Sequence, residues 1–164
     1  MQCGVCASGW IEKSTLSLRS CGGGITAWKG TNTTFENKYG IYIANSQLIA
    51  ANASIAAGIV GKCALGRPWN AQHRSIFMNS YFDASINPQG YIQWGTTDQR
   101  ISNYTFMATY NDYGPGYNVS AERDSNISLV LDAKGVAPYR RPADVFITPE
   151  GKQPNVGWID SSVL

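Results

Sequence analysis

The chain has 164 residues and a mass of 17.8 kDa, the size of one domain that buries about 70% of its unfolded surface and folds without a metal or a disulfide. Charged residues make up 15%, against roughly 25% in an average soluble domain, while Ser, Thr, Asn and Gln total 44, a balance that argues against intrinsic disorder. The net charge is +2 and no basic run exceeds Arg140-Arg141, so the electrostatic footprint of a nucleic-acid or anionic-membrane binder is missing.

The first ten residues, MQCGVCASGW, hold neither a basic nor an apolar leader region, so no secretory signal is expected in them. Cys3-x-x-Cys6 invites a zinc or redox reading. A zinc ribbon needs a second closely spaced pair, whereas Cys21 and Cys63 stand 42 residues apart, and no βαβ pattern surrounds the first pair. Disulfides or buried thiols are the plainer expectation, and four cysteines allow three pairings.

Short strand-like runs separated by Gly and Asn follow: Gly24 to Ala27, Gly40 to Ile43, Arg74 to Met78, Tyr91 to Trp94 and Tyr104 to Met107. No three-to-four-residue apolar period is evident before Glu122. The weakly apolar stretch from Leu48 to Val60 is broken by Asn52 and Ser54 and is too short for a bilayer core of about 30 Å. Three segments repeat one pattern, namely Trp10-Ile-Glu-Lys-Ser-Thr-Leu16, Tyr42-Ile-Ala-Asn-Ser-Gln-Leu48 and Ile76-Phe-Met-Asn-Ser-Tyr-Phe82, at spacings of 32 and 34 residues. A strand, a corner and a second strand at such a period predict an all-β parallel β-helix. Ile43 and Phe77 would then point inward on adjacent coils, as would Leu48 and Phe82, and Asn45 and Asn79 would stack as an internal amide ladder. A β-sandwich is the alternative, but its hairpins lack any Asn-Gly or Asp-Gly signal here.

Asn-x-Ser/Thr occurs at Asn32, Asn52, Asn103, Asn118 and Asn126, against about two expected by chance. The excess favours a secreted protein over a merely Asn-rich surface.

The most specific stretch is Leu65-Gly-Arg-Pro-Trp69. In an extended segment Arg67 and Trp69 share a face, and a forked cation beside a flat apolar ring suits an acidic sugar. A surface Arg packed on a half-buried Trp would read the same way. His73 lies near Ser75 and Ser80, but no Gly-x-Ser-x-Gly elbow exists, so it is expected to be a polar loop residue.

Leu65 to Trp69, with Ser75 to Asp83, Gly90 to Trp94, Tyr110 to Gly116 and Gly24 to Ala27 with Gly30, resembles the pectinesterase (pectin methylesterase) family. The tail, Val145 to Gly151 and Trp158 to Asp160, resembles fungal-type members. The resemblance implies a right-handed, pectin lyase-like β-helix that hydrolyses methyl esters of polygalacturonate without a cofactor. It implies a secreted monomer acting on pectin, with no nucleic-acid or membrane partner. One aspartate would attack the ester, a second would serve as acid and base, and a glutamine would hold the oxyanion. Arg67 matches the arginine that positions the nucleophile and Trp69 the substrate-stacking tryptophan; no metal is implied.

The chain departs from that pattern. The family's two aspartates and glutamine lie upstream of the first repeat, yet the first acidic residue here is Glu12; Thr109 stands where an acid is common and Asp112 where asparagine is common. The expectation is a C-terminal half of a pectinesterase-like domain, inactive alone, or else a non-catalytic pectin-binding or vestigial β-helix. Its layout would be residues 1–9 as a remnant, 10–116 as coils and 117–164 as a tail packed on them.

Overall fold

A computed structural model describes residues 7–148, 150 and 152–163. Cys3 and Cys6 lie outside the described residues. Two parallel sheets stack along one axis. The first runs β1 (Gly9–Glu12), β3 (Ile41–Ala44), β5 (Arg74–Met78), β7 (Phe106–Tyr110) and β8 (Leu129–Val130); the second runs β2 (Thr15–Leu18), β4 (Gln47–Ala50) and β6 (Tyr81–Phe82). The register pairs Ile11 with Ile43 and Ile43 with Phe77, and pairs Leu16 with Leu48 and Leu48 with Phe82. These offsets are the sequence repeat made physical: each coil returns to the same corner.

Ile43, Leu48, Phe77 and Phe82 are fully buried in one interior cluster with Leu65, Ile86, Tyr91 and Met107. The alternate residues of the first sheet, Tyr42, Ala44, Ile76, Met78 and Ala108, are also buried. They lie under Val136 and Val145 from the C-terminal helices α4 (Ala133–Val136) and α5 (Pro142–Val145). A sheet covered on both faces reads as continuous apolar strands, as β5 does.

The corner differs from the amide ladder expected. Asn45, Asn79 and Asn111 adopt left-handed backbone at φ of 49°, 49° and 52°, with Lys13 at 46° in the first coil. Asparagine tolerates that region better than most residues, and Asn45 is exposed. The internal ladder belongs to the next residue. Ser14 N–H donates to Ser46 Oγ, Ser46 N–H to Ser80 Oγ, each at 3.1 Å, and Ser80 N–H to an Asp112 carboxylate oxygen at 2.7 Å. A hydroxyl reaches the neighbouring backbone without the bulk of an amide. Tyr110-Asn111-Asp112 is therefore a fourth corner that the apolar pattern concealed, because its strand residues include Ala108 and Thr109.

Helices do occur before Glu122. Both α1 (Thr34–Asn37) and α2 (Ala53–Ile59) are too short for a visible apolar period, and α2 is capped by the Asn52 side chain, which accepts from Ile55 N–H at 3.0 Å. Among the described residues, a disulfide joins Cys21 to Cys63 and closes a span of 42 residues.

Candidate functional site

The third side of each coil has no continuous strand, although Gly24 to Ala27 and Tyr91 to Trp94 were expected as strands. Single parallel rungs replace them. Thr26 N–H donates to Leu65 O at 3.0 Å, Arg67 N–H to Thr26 O at 3.0 Å, and Ile92 N–H to Gly66 O at 3.0 Å. Gly66 permits this close stacking, since a Cβ there would lie 2.1 Å from Thr26 Oγ1. Extended ladders fail because Pro68 and the turns after it redirect the chain.

These rungs carry the arginine and tryptophan singled out by the sequence. The Arg67 guanidinium lies over the Trp94 indole, 4.0 Å from its centroid. It also packs against Gly23, where a Cβ would come within 2.6 Å of Cζ and where φ of 89° also favours glycine. Trp69 is 46% exposed and meets Trp94 edge-on at 5.4 Å. The structure thus brings Arg67 and Trp69 into one cluster through Trp94. Arg67 Nε is buried without a hydrogen-bond partner, and among the described residues the ion pairs are Arg100–Asp98 and Arg141–Asp144. A cation with a buried donor and no carboxylate partner is prepared for an anion or a polar oxygen.

Arg100 completes the wall. Its guanidinium also lies over the Trp94 ring, 4.1 Å from the centroid, while Nη1 donates to Trp69 O at 2.7 Å and Nε to Asp98 at 2.8 Å. With two cations over Trp94, the exposed Trp69 is the ring available for stacking. Arg100 sits at φ of 56°, a cost of order 1–3 kcal/mol that glycine would avoid, so the guanidinium contacts must offset it. Sequence reasoning found Trp94 as a strand residue and as the end of a family-like segment, gave it no role in the site, and missed Arg100. A salt bridge at i and i+2 in the long connection between β6 and β7 carries no periodic signal.

His73 does stand in the loop after Trp69, directly before β5, as expected. It is fully buried, with Nδ1 accepting from Trp28 N–H at 3.0 Å and Nε2 lying 2.8 Å from Ser75 Oγ, which donates to Tyr91 OH at 3.0 Å. Burial pulls its pKa down to about 4. The His73–Ser75 pair is a neutral internal bridge between coils with no solvent path to a substrate.

A second missed residue explains Thr109. Glu122, from α3 (Val119–Asp124), is 1% exposed, and one carboxylate oxygen accepts from Thr109 Oγ1. The acid expected at 109 is supplied from a different part of the chain. Burial raises the Glu122 pKa to about 7, with the Thr109 hydrogen bond opposing. Asp112 is pushed upward as well, mainly by burial. Among the described residues no cluster of His, Cys, Asp and Glu could hold a metal.

The family model "Pectinesterase" matches residues 17–136. Arabidopsis thaliana pectinesterase 11 is 32% identical over 160 residues, covering 92% of this chain and 42% of that protein. Citrus sinensis pectinesterase 2 is 32% identical over 77 residues, covering 47% of this chain and 15% of that protein. A crystal structure of a pectin methylesterase in complex with a hexasaccharide superposes with a TM-score of 0.58 at 20% identity, over 89% of this chain and 46% of that one. The chain spans less than half the length of these relatives. By sequence and by its parallel β-helix, the chain belongs to the pectinesterase family.

Proposed function

We propose that the chain is the C-terminal part of a secreted, glycosylated carbohydrate esterase of plant-type cell walls, one that hydrolyses methyl esters of polygalacturonate to pectate and methanol. The observation that carries this reading is the Arg67–Trp94 stack beside the exposed Trp69, with Arg67 Nε buried and unpartnered. In this role Arg67 orients the nucleophilic carboxylate and Trp69 offers its ring to a sugar face. Arg100 holds the Trp69 backbone and is a positioning residue.

The reading assigns the nucleophile and the acid/base to coils preceding Trp10, because the sequence holds no carboxylate before Glu12. Two features support coils on that side. Ile11, Leu16, Ile25, Ile41 and Ile43 line an apolar recess of about 320 Å³ at the β1 end. Trp28, which lines the same recess, has a buried indole N–H without an acceptor.

The test has two parts. Residues 1–164 should bind oligogalacturonate yet release no methanol from methylated pectin, since binding groups without a nucleophile leave the covalent route closed. A chimera with the N-terminal coils of an active relative should release methanol, with Arg67→Lys lowering turnover and Trp69→Ala chiefly weakening binding. Full turnover in the Arg67→Lys chimera would sink the assignment. The absence of any carboxylate pairing with Arg67 keeps a second reading in view, a non-catalytic pectin-binding module. Binding by 1–164 together with a silent, folded chimera would select it.

A further inference from the structure

We propose that Asn103 is an acceptor of an N-linked oligosaccharide, and that it stands apart from the other four sequons in having no structural task of its own. All five sequon asparagines are exposed, so exposure does not separate them. Their hydrogen bonds do.

Asn52 and Asn118 are helix N-caps. Their side-chain oxygens accept from Ile55 N–H and Ala121 N–H, each at 3.0 Å, and Asn52 also accepts from the hydroxyl of Ser54 at 2.7 Å. Asparagine is a preferred cap, so the helices account for its presence there. Asn126 occupies a left-handed position at φ of 55°, and its amide nitrogen already donates to Asp124 O at 3.4 Å. Asn32 accepts from the Gln72 side chain at 2.8 Å.

The turn at Ser102-Asn103-Tyr104-Thr105 is built by its other members. Thr105 N–H donates to Ser102 O at 3.0 Å, Ser102 N–H to Thr105 Oγ1 at 2.9 Å and Tyr104 N–H to Ser102 Oγ at 3.1 Å. Both hydroxyls then fasten the turn to Ala71 O, at 3.0 and 2.8 Å. Asn103 has no positive φ, no cap and no side-chain hydrogen bond, and sits at the exposed tip with its amide free in solvent. Any polar residue would complete this turn. What Asn adds is the sequence Asn-x-Thr, whose known use is covalent.

In that step the Asn103 amide nitrogen attacks C1 of the first sugar of a lipid-diphosphate-linked oligosaccharide, the donor of the secretory pathway. The new N–C1 bond forms as the C1–O bond to the diphosphate breaks. The lipid diphosphate leaves with the electron pair, and the amide proton passes to a base of the membrane transferase. The glycan would rise beside Tyr104, which is 65% exposed and lines a cavity with Asn32, Glu36 and Gln72. This inference rests on the secreted part of the proposed function and not on its esterase chemistry.

The test is to express the full chain behind a cleavable leader in eukaryotic cells and to collect both secreted and cell-associated protein. Glycans are then released with an amidase in heavy-oxygen water, and labelled aspartates mapped by mass spectrometry. The label is expected at Asn103, and Asn103→Gln should remove one amidase-sensitive step. An unlabelled Asn103 in both pools, or an Asn103→Gln chain with its full set of glycans, would overturn the proposal. Unglycosylated bacterial protein supplies the second arm. Asn103→Gln should melt with wild type there while Asn52→Gln and Asn118→Gln melt lower; a lowered melt for Asn103→Gln would show a structural task and overturn the distinction.

Discussion

At the β1 end of the coil stack, Ile11, Leu16 and Ile25 are only partly buried, and among the described residues β1 and β2 each have one edge without a partner strand. At the other end, the chain after Gly116 turns back over the coils. Tyr117 packs on Phe82 at 6.0 Å, Ile127 joins the interior cluster, β8 pairs with β7, and Glu122 is sealed against Thr109. Solenoids require such terminal caps because each coil is stabilised chiefly by its neighbours. The closed end uses a polar, ionisable plug; the open end offers the same apolar ladder that the interior repeats. In the reading proposed above, the β1 end is the one that further coils would extend.

Five substitutions sharpen that contrast. Phe77→Ala, midway between the ends, should cost about 3–5 kcal/mol in urea unfolding, since the ring is fully buried between Ile43, Phe82 and Tyr91. A loss below about 1 kcal/mol would mean that the coils do not unfold together.

Glu122 makes the closed end sensitive to pH. Its folded pKa, about 7, stands above the unfolded value of 4.5. The associated stability is therefore fully present below pH 4.5 and is lost as pH rises through 7, a change of about 3 kcal/mol. Glu122→Gln should reduce this slope in unfolding measurements from pH 4.5 to 8, leaving the contribution of Asp112, which burial pushes in the same direction. An unchanged slope would remove Glu122 from the account.

Ser80→Ala tests the ladder common to both ends. It strands the Ser46 N–H inside the coil, for about 1–3 kcal/mol. Leu16→Ala, at the open end, should cost about 1 kcal/mol, well below the roughly 2–5 kcal/mol of Leu48→Ala one coil in. In a chain extended by preceding coils the Leu16 cost should rise toward that of Leu48.

The parts legible in the sequence were those that repeat. Trp10, Tyr42 and Ile76 announced the coil period because inward and outward positions recur at each corner, and Arg67-Pro68-Trp69 was readable because its spacing is local. Arg100 and Glu122 were not. Each acts through a partner distant in sequence, Trp69 for one and Thr109 for the other, and a single polar residue in a loop or short helix gives no sign of what it will meet. The Asn ladder was misread for a related reason: the pattern showed which residues recur at the corner but not which of two neighbours turns inward.

That corner also has an evolutionary reach. The coils between successive left-handed residues measure 32, 34 and 32 positions, from Lys13 to Asn45, Asn79 and Asn111, yet the strands on either side stay in register. A corner that resets the count on every lap confines extra residues to the lap in which they arise. The loops bearing Trp69 and Arg100 can lengthen, shorten or change chemistry while the ladder beneath them keeps time, so new specificities can be tried without retuning the scaffold.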